Sequence, residues 1–474
     1  MENLILNELQ NIVETKVISF HMPGHKLGKI YEKLGYKNIV EKLYKMDTTE
    51  IPGTDNLHCP EGAIKKSQEK ASKVFESEST YFLVNGSTCG IEASIMTVCN
   101  PKDKIIVNRD CHQSVINACI LGDIEPIYIS PKIDNLTNIL EGIEVDDVIN
   151  IIDNNLDAKA ILLTYPTYYG MTFDLEKICE YAHKHNMTVI IDEAHGAHLS
   201  LSKKLPKTAL EQGTDIVIQS THKTLPAFTQ SSMIHTQGDR IDKDRLCNIL
   251  RMVESSSPSY ILLSSLELAT DICKKYGIKL MDDLLIEIDK FKNSLKNNEI
   301  FGIRETNDKT KVFIYSKNRE ITGYKLANIL REKFNIQVEL SNYYGVLLIC
   351  TLGNDKEDFK ILQDALNNIQ LHEECVNSPI VENRKYIKYP KDIPIKILNP
   401  REAFYKGKKS VKIYESIGKV CGEYIIPYPP GISLLSPGEI ITKDIIDYIM
   451  LCNQNGMEVN GIKDSDLEFI QIIE

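Results

Sequence analysis

Two short segments carry residue types that could do chemistry together. IVIQSTHKTLPAFTQSS at 216–232 runs an apolar segment straight into Ser-Thr-His-Lys, and TVIIDEAHGAH at 188–198 runs another into Asp-Glu-Ala-His. Taken singly, Lys223 is an ordinary surface ion-pair partner and Asp192 an ordinary helix cap. Taken together they make a sharper proposal. Each follows an apolar strand, and neighbouring strand ends would set an amine and a carboxylate around one cleft.

That pair is part of the set that pyridoxal 5'-phosphate (PLP) requires. The cofactor needs an amine for a Schiff base and a carboxylate that keeps its pyridine nitrogen protonated. It also needs a phosphate cradle and a surface against its ring. Lys223 is the amine candidate and Asp192 the carboxylate candidate. Ser87, Thr88 and Ser220 can hold phosphate, with His222 a further donor, and His112 can stack on the ring. Core or surface histidine is the plain alternative for His112.

Two rival readings use the same residues. DEAH at 192–195 is also found in nucleotide hydrolases, but those need GxxxxGK[ST], which is absent, and GHKLGK at 24–29 does not supply it. A metal site from Asp192, His195 and His198 would need ligands converging from elsewhere. His183 and His185, two apart on a helix, face different directions.

The elements that must position these groups alternate along the chain. PEGAIKKSQEKASKVFE at 60–76 reads as a helix, and YFLV at 81–84 as a strand ending in the turn NGSTCG. A strand, a small-residue turn and a helix (here IEASIMTVC) suit phosphate binding, because the turn offers amides and hydroxyls at a helix N-terminus. Further strands are expected at KIIV 104–107, PIYI 126–129, AILLTYP 160–166, TVIID 188–192 and DIVIQS 215–220, with helices at HQSVINACILG and at 174–186. Apolar strands separated by helices predict a mostly parallel sheet covered on both faces. The pocket then lies beyond the strands' carboxyl ends, where Asn85–Thr88, Asp110–His112, Asp192–His195 and Ser220–Lys223 fall.

After about residue 260 the pattern changes. Helices are expected at 260–277, 279–298 and 356–370, with strands at KVFIYS, QVELSN and GVLLICT. Residues 376–395 read as a linker, and Pro-Pro-Gly in GEYIIPYPPGISLLSPGE at 422–439 as a rigid extended turn. The expected division is an N-terminal segment and cofactor-binding major domain over 1–275, a small α+β domain over 276–380, and a C-terminal domain over 381–474.

Composition bounds the rest. A chain of 474 residues is long enough for two or three domains, and its net charge of −11 argues against general nucleic-acid affinity. Its twelve cysteines include no CxxC pair, which suits reduced core thiols. MENLILNELQ has no signal-peptide pattern, and no apolar run is long enough for a membrane span. A cytoplasmic protein, bound to neither membrane nor nucleic acid, is the expectation.

FHMPGHKLG at 20–28, DNLHCPEGAI at 55–64, FLVNGSTCG at 82–90, RDCHQS at 109–114 and PTYYG at 166–170 join the two opening segments and IIPYPPGISLLSPGE at 425–439 in one ordered set. In these stretches the chain resembles, over nearly its whole length, the bacterial ornithine/lysine/arginine decarboxylases. The resemblance implies an α/β PLP-dependent transferase of fold type I, the aspartate-aminotransferase fold, with a mostly parallel central sheet plus smaller α+β and C-terminal domains. It implies Lys223 as the Schiff-base lysine, Asp192 as partner of the pyridine nitrogen and His112 on the ring. Ser87, Thr88, Ser220 and His222 are implied as phosphate contacts, and His195 joins the cofactor set. It further implies a homodimer or an assembly of dimers with active sites at the subunit boundary. SSSPSY at 255–260 would then reach the partner's cofactor. The larger inducible members carry an extra N-terminal receiver-like domain. Here only 20 residues precede HMPGHK, so the shorter biosynthetic type, without large decamers, is expected.

The implied reaction is decarboxylation of a basic amino acid for polyamine synthesis. It would give agmatine from arginine, cadaverine from lysine or putrescine from ornithine, and the shorter members favour arginine. His222 or Lys223 would return a proton to Cα. Glu50, Asp55 and Glu423 lie in or beside the family-like stretches and are candidates for the substrate's distal cation, with solvated surface carboxylates as the alternative. Arginine would gain from a bidentate contact there. An aminotransferase would use an arginine clamp, but Arg401 sits in LNPREAFY, which resembles the decarboxylase pattern. A catalytically silent partner of another decarboxylase is the alternative from a different class.

Overall fold

The structure is a computed structural model describing residues 4–134, 139–317, 321–371, 390, 392–428, 433–454 and 457–474. Its centre is a seven-stranded sheet: β1 (Ser79–Leu83), β2 (Lys104–Asn108), β3 (Glu125–Ile129), β4 (Ala160–Thr164), β5 (Thr188–Asp192), β6 (Ile216–Gln219) and β7 (Ser232–Thr236), in the order β1-β7-β6-β5-β4-β2-β3. Pairing from β6 through β5, β4 and β2 to β3 is parallel, and β7 runs antiparallel between β6 and β1.

The six expected strands form where the Ile/Val-rich runs lie. The seventh, SMIHT, lies outside the expected set. Its Ser, His and Thr side chains are buried; His235 lies 2.8 Å from Thr80 Oγ1 and 3.0 Å from Gln219 Oε1. Successive residues of the central strands serve opposite faces. Leu163, Ile191 and Val217 join one core, while Leu162, Ile190 and Ile218 join the other.

A second, four-stranded antiparallel sheet is formed by Phe301–Arg304, Lys311–Ser316, Gly345–Ile349 and Leu340–Ser341. Helices Gly323–Phe334 and Lys356–Leu371 lie with it, and Leu326, Leu330, Leu362 and Leu366 share its core. The N-terminal strand Ile18–Phe20 pairs in parallel with Ile336–Val338, so the HMPGHK segment starts from this pairing.

Two helices expected at 260–277 and 279–298 form one run. Tyr260–Ile272 passes through a π-helical turn, Cys273–Gly277, into Ile278–Ser294. The boundary expected at 275/276 falls inside that turn. Gly277, at the end of the first expected range, has a helical φ of −54°, and a Cβ there would stand 2.8 Å from Leu201 Cδ2. The glycine serves close packing instead of ending the helix. The expected linker at 376–395 falls largely, and the Pro-Pro-Gly turn wholly, outside the described residues.

The C-terminal region pairs Lys408–Lys412 with Phe469–Ile473 and has its own core around Ile413, Leu435, Ile445 and Ile470. It is tied to the major sheet by a buried ion pair. Arg109, just past β2, meets both Glu439 oxygens at 2.5 and 2.7 Å. Arg401 donates to the carbonyls of Ile120 and Leu121 at the end of helix Gln113–Gly122. It therefore holds a helix C-terminus, where orphan carbonyls need donors.

Candidate active site

The carboxyl ends of β1, β2, β4, β5 and β6 surround a cavity of about 520 Å³. Ser87, Thr88, His112, Asp192, His195, Ser220, His222 and Lys223 all line it. Residues from four separate sequence segments thus converge.

Lys223 sits on a short helical segment, Thr221–Thr224, directly after β6. Gly24 of the HMPGHK segment donates its N–H to His222 O at 2.8 Å. A Cβ at Gly24 would stand 2.5 Å from Leu225 O, so only glycine allows this approach. Lys223 Nζ lies 3.0 Å from His195 Nε2. Burial pushes the Lys223 ammonium below its usual range; Asp192 and Glu339 oppose that shift and Lys311 adds to it. Asp192, buried at the end of β5, accepts the Ala194 N–H at 3.1 Å.

Burial, with the Lys223 charge next, also pushes His195 well down. Its imidazole is neutral, and among the described residues its Nδ1 is buried with no hydrogen-bond partner. A polar ligand would satisfy that atom, as buried polar atoms normally are.

The expected turn NGSTCG is already helical, since the helix starts at Gly86 and runs to Val98. Gly86 has φ +74°, and Ser87 stands at the N-terminus. Ser87 Oγ lies 2.7 Å from Ser220 Oγ and 3.2 Å from Ser232 Oγ. The Ser87 and Ser220 hydroxyls thus face the cavity at the positive end of a thirteen-residue helix, a setting that favours anions, with Ser232 behind them.

Two histidines are held in defined orientations. His112 caps helix Gln113–Gly122, its Nδ1 3.2 Å from Ser114 N and 2.8 Å from Ser114 Oγ. Burial lowers its proton affinity, Asp192 opposes that and Lys223 adds to it. Accepting at Nδ1 places the proton on Nε2. His222 Nδ1 lies 2.8 Å from Ser231 O, an acceptor, so it carries the proton there. Burial drives His222 down to about 4, against the Ser231 hydrogen bond and with help from Lys223.

The three substrate candidates are not brought to the cavity. Burial would raise the Asp55 carboxyl, but backbone N–H groups of Asn56, Glu61, Gly62 and Lys65 outweigh it and hold the group at about 2. Asp55 organises the start of helix Ala63–Val74. Glu423 accepts from Lys463 N and Gln471 N inside the C-terminal region. Both carboxylates are committed to backbone, which sequence cannot show. Glu50 lies outside the cavity lining, with Oε1 buried and unpartnered among the described residues.

In SSSPSY, Ser259 caps the long helix and Ser255 O contacts His58 Nε2 at 2.8 Å. His198 turns away from Asp192 to Asp308 and Thr310, which removes it from a shared metal site. Among the described residues no group of three or more His, Cys, Asp or Glu is placed to hold a metal ion.

Tyr168 and Asp110 also line the cavity. Tyr168 sets its ring edge-on to His195, centroids 4.5 Å apart. The PTYYG motif marked its segment but not the contact. Asp110 accepts from Asn108 Nδ2 at 2.7 Å, and burial raises its carboxyl.

Comparison with known proteins gives the family. The family model described as Orn/Lys/Arg decarboxylase, major domain, matches residues 5–316, and that for the C-terminal domain matches 384–465. The chain belongs to the Orn/Lys/Arg decarboxylase family. It is therefore a PLP-dependent decarboxylase acting on a basic amino acid. An arginine decarboxylase of Bacillus subtilis is 34% identical over 483 residues, covering 100% of this chain and 98% of that one. An arginine decarboxylase of Bacillus anthracis is 33% identical, covering 96% and 94%. A solved lysine decarboxylase of Francisella novicida shares the fold with a TM-score of 0.81 at 24% identity, covering 95% of this chain and 78% of that one. Among the described residues no helix is long and apolar enough to cross a membrane.

Proposed function

We propose that this decarboxylase converts L-arginine to agmatine and carbon dioxide as a step in polyamine synthesis, on a PLP-dependent transferase fold of type I. The observation that carries the substrate choice is the full-length similarity to proteins named arginine decarboxylase. The observation that carries the site is the convergence of Lys223, Asp192, His112 and the serine cradle on one cavity.

The residues present fit the cofactor. The Ser87 and Ser220 hydroxyls and the helix N-terminus suit its phosphate, with Thr88 at the rim and Ser232 behind Ser87. The buried Nδ1 of His195 awaits a polar partner. When bound, PLP supplies an electron sink for the pair left at Cα as the carboxylate departs.

The chain's own residues do the rest. Asp192 keeps a proton on the pyridine nitrogen, which strengthens the sink. Lys223, with a lowered proton affinity, offers a larger fraction of neutral amine to bind the cofactor and exchange with substrate. His112 holds the ring face, and its Nε2–H is the donor left after Nδ1 is used. His222 contributes to the phosphate contact. Lys223 or His222 returns the proton to Cα.

The active form is a cytoplasmic homodimer or assembly of dimers, with 255–260 reaching the neighbouring site. The test is to assay the purified PLP-loaded protein with arginine, lysine and ornithine separately, measuring carbon dioxide and amine. Agmatine alone supports the proposal. Cadaverine or putrescine as the main product overturns the substrate choice, and a keto acid overturns decarboxylation as the main reaction.

A further inference from the structure

We infer that Lys311 and Glu339 of the small α+β domain are positioning residues that hold His195 against the Lys223 amine, Lys311 at its carbonyl and Glu339 through Tyr168 at its ring. The inference rests on the reading of Lys223 as the cofactor's anchor.

Lys311 has no exposed surface, yet it carries a charge at the start of the strand Lys311–Ser316. Its Nζ donates to His195 O at 3.2 Å and meets Asp308 Oδ2 at 3.1 Å. Asp308 Oδ1 accepts from Thr310 N at 3.0 Å and Thr310 Oγ1 at 2.7 Å, and His198 Nε2 lies 3.1 Å from Oδ2. The Asp308 N–H donates to Gly170 O at 2.8 Å. One buried cluster thus grips both loops of the cavity wall, PTYYG and DEAHGAH. Gly170 has φ +83°, and a Cβ there would stand 2.8 Å from Lys311 Cγ, so the loop is built to admit the lysine.

A second grip comes from Glu339. Its Oε1 accepts the Tyr168 hydroxyl at 2.7 Å and its Oε2 the Met22 N–H at 2.9 Å. Tyr168 in turn rests edge-on against the His195 ring. His195 is therefore fixed at its carbonyl by Lys311 and at its ring by Tyr168, while its Nε2 faces Lys223 at 3.0 Å.

Stability alone does not account for this arrangement. A buried ion pair is often no better for stability than an apolar pair of the same volume. What it supplies is a fixed geometry, and catalytic groups lose rate steeply when displaced.

The two residues also act on Lys223 with opposite sign: Glu339 favours its protonated form and Lys311 disfavours it. The other titratable groups around Lys223 are Asp192, His112, His195 and His222, while Lys26, His21 and His198 stand around Lys311 and Glu339. They are common to every variant below.

The test uses cofactor-free full-length protein given PLP across a range of pH, with borohydride trapping and peptide mapping to follow capture by Lys223. Glu339→Gln removes the charge that favours the ammonium, so the pH midpoint of capture moves down. Lys311→Met with Asp308→Asn removes the opposing charge without stranding its partner, so the midpoint moves up. Tyr168→Phe leaves both charges and cuts one anchor, so capture slows by about tenfold or more with an unmoved midpoint.

Circular dichroism checks folding. If the double variant does not fold, Glu339→Gln and Tyr168→Phe decide. Folded variants whose midpoints and rates match the parent protein, or midpoints that move in the same direction, overturn the inference. Failure of the parent protein to capture PLP on Lys223 overturns instead the reading it rests on.

Discussion

Removing the Glu439 charge should uncouple the C-terminal region from the major sheet. Glu439 is 1% exposed and Arg109 6% exposed, so neither has water to fall back on. The guanidinium makes two bonds to the carboxylate and a third to Leu434 O at 3.1 Å, and it lies over the Tyr128 ring. Glu439 Oε2 also accepts Ser436 N at 2.8 Å. In Glu439→Gln an amide N–H is turned on a guanidinium N–H, and the cation stays buried without a counter-charge. Breaking such a pair costs about 3–5 kcal/mol. That is a loss on the order of a hundredfold or more in the docking or folding equilibrium. Arg109→Met should cost a similar amount, whereas Arg109→Met with Glu439→Met should recover most of it, because no charge is stranded. Urea titration with limited proteolysis of the C-terminal region reads these differences. Single variants within about 1 kcal/mol of the parent, or a double variant as unstable as the sum of the singles, would refute the reasoning.

Other outcomes follow from the same geometry. Ser87→Ala should weaken PLP binding by about ten- to a hundredfold, the loss of one hydroxyl bond to a charged group, measured by cofactor titration. Gly24→Ala drives a Cβ onto Leu225 O and should displace the Lys223 turn, lowering PLP-dependent turnover by about a hundredfold in a protein that still folds. Burial holds His235 down at about 3, so the unfolded chain binds the extra proton first as pH falls from the ordinary histidine range. Its contribution is complete near neutrality and is lost progressively down to about pH 3. His235→Gln should flatten that part of the stability profile in pH-dependent urea titrations.

The apolar strands were legible because β2, β4, β5 and β6 are buried on both faces and read as continuous Ile/Val/Leu runs. Their carboxyl ends then located Lys223, Asp192, His112 and the serines. SMIHT was illegible because buried polar partners across the sheet, Thr80 and Gln219, make its histidine a strand residue. The continuity of 260–294 was not legible, because the close packing of Gly277 on Leu201 comes from the fold. Asp55 and Glu423 were legible as carboxylates near the right motifs, but their backbone partners come from the fold. Lys311 and Glu339 left no local signal at all. They reach the site from a stretch of chain whose own pattern describes only a small sheet. RDCHQS and LLSPGE both stood out as family-like, yet nothing in either announces that Arg109 and Glu439 meet across 330 residues.

The most direct test of the central claim is to load the purified protein with PLP, reduce it with borohydride and map the modified peptide, beside a Lys223→Ala variant. A cofactor label on Lys223, absent from the variant along with the visible absorbance band and with amine production, is the predicted result. A label on another lysine, or turnover that persists without Lys223, would contradict the account.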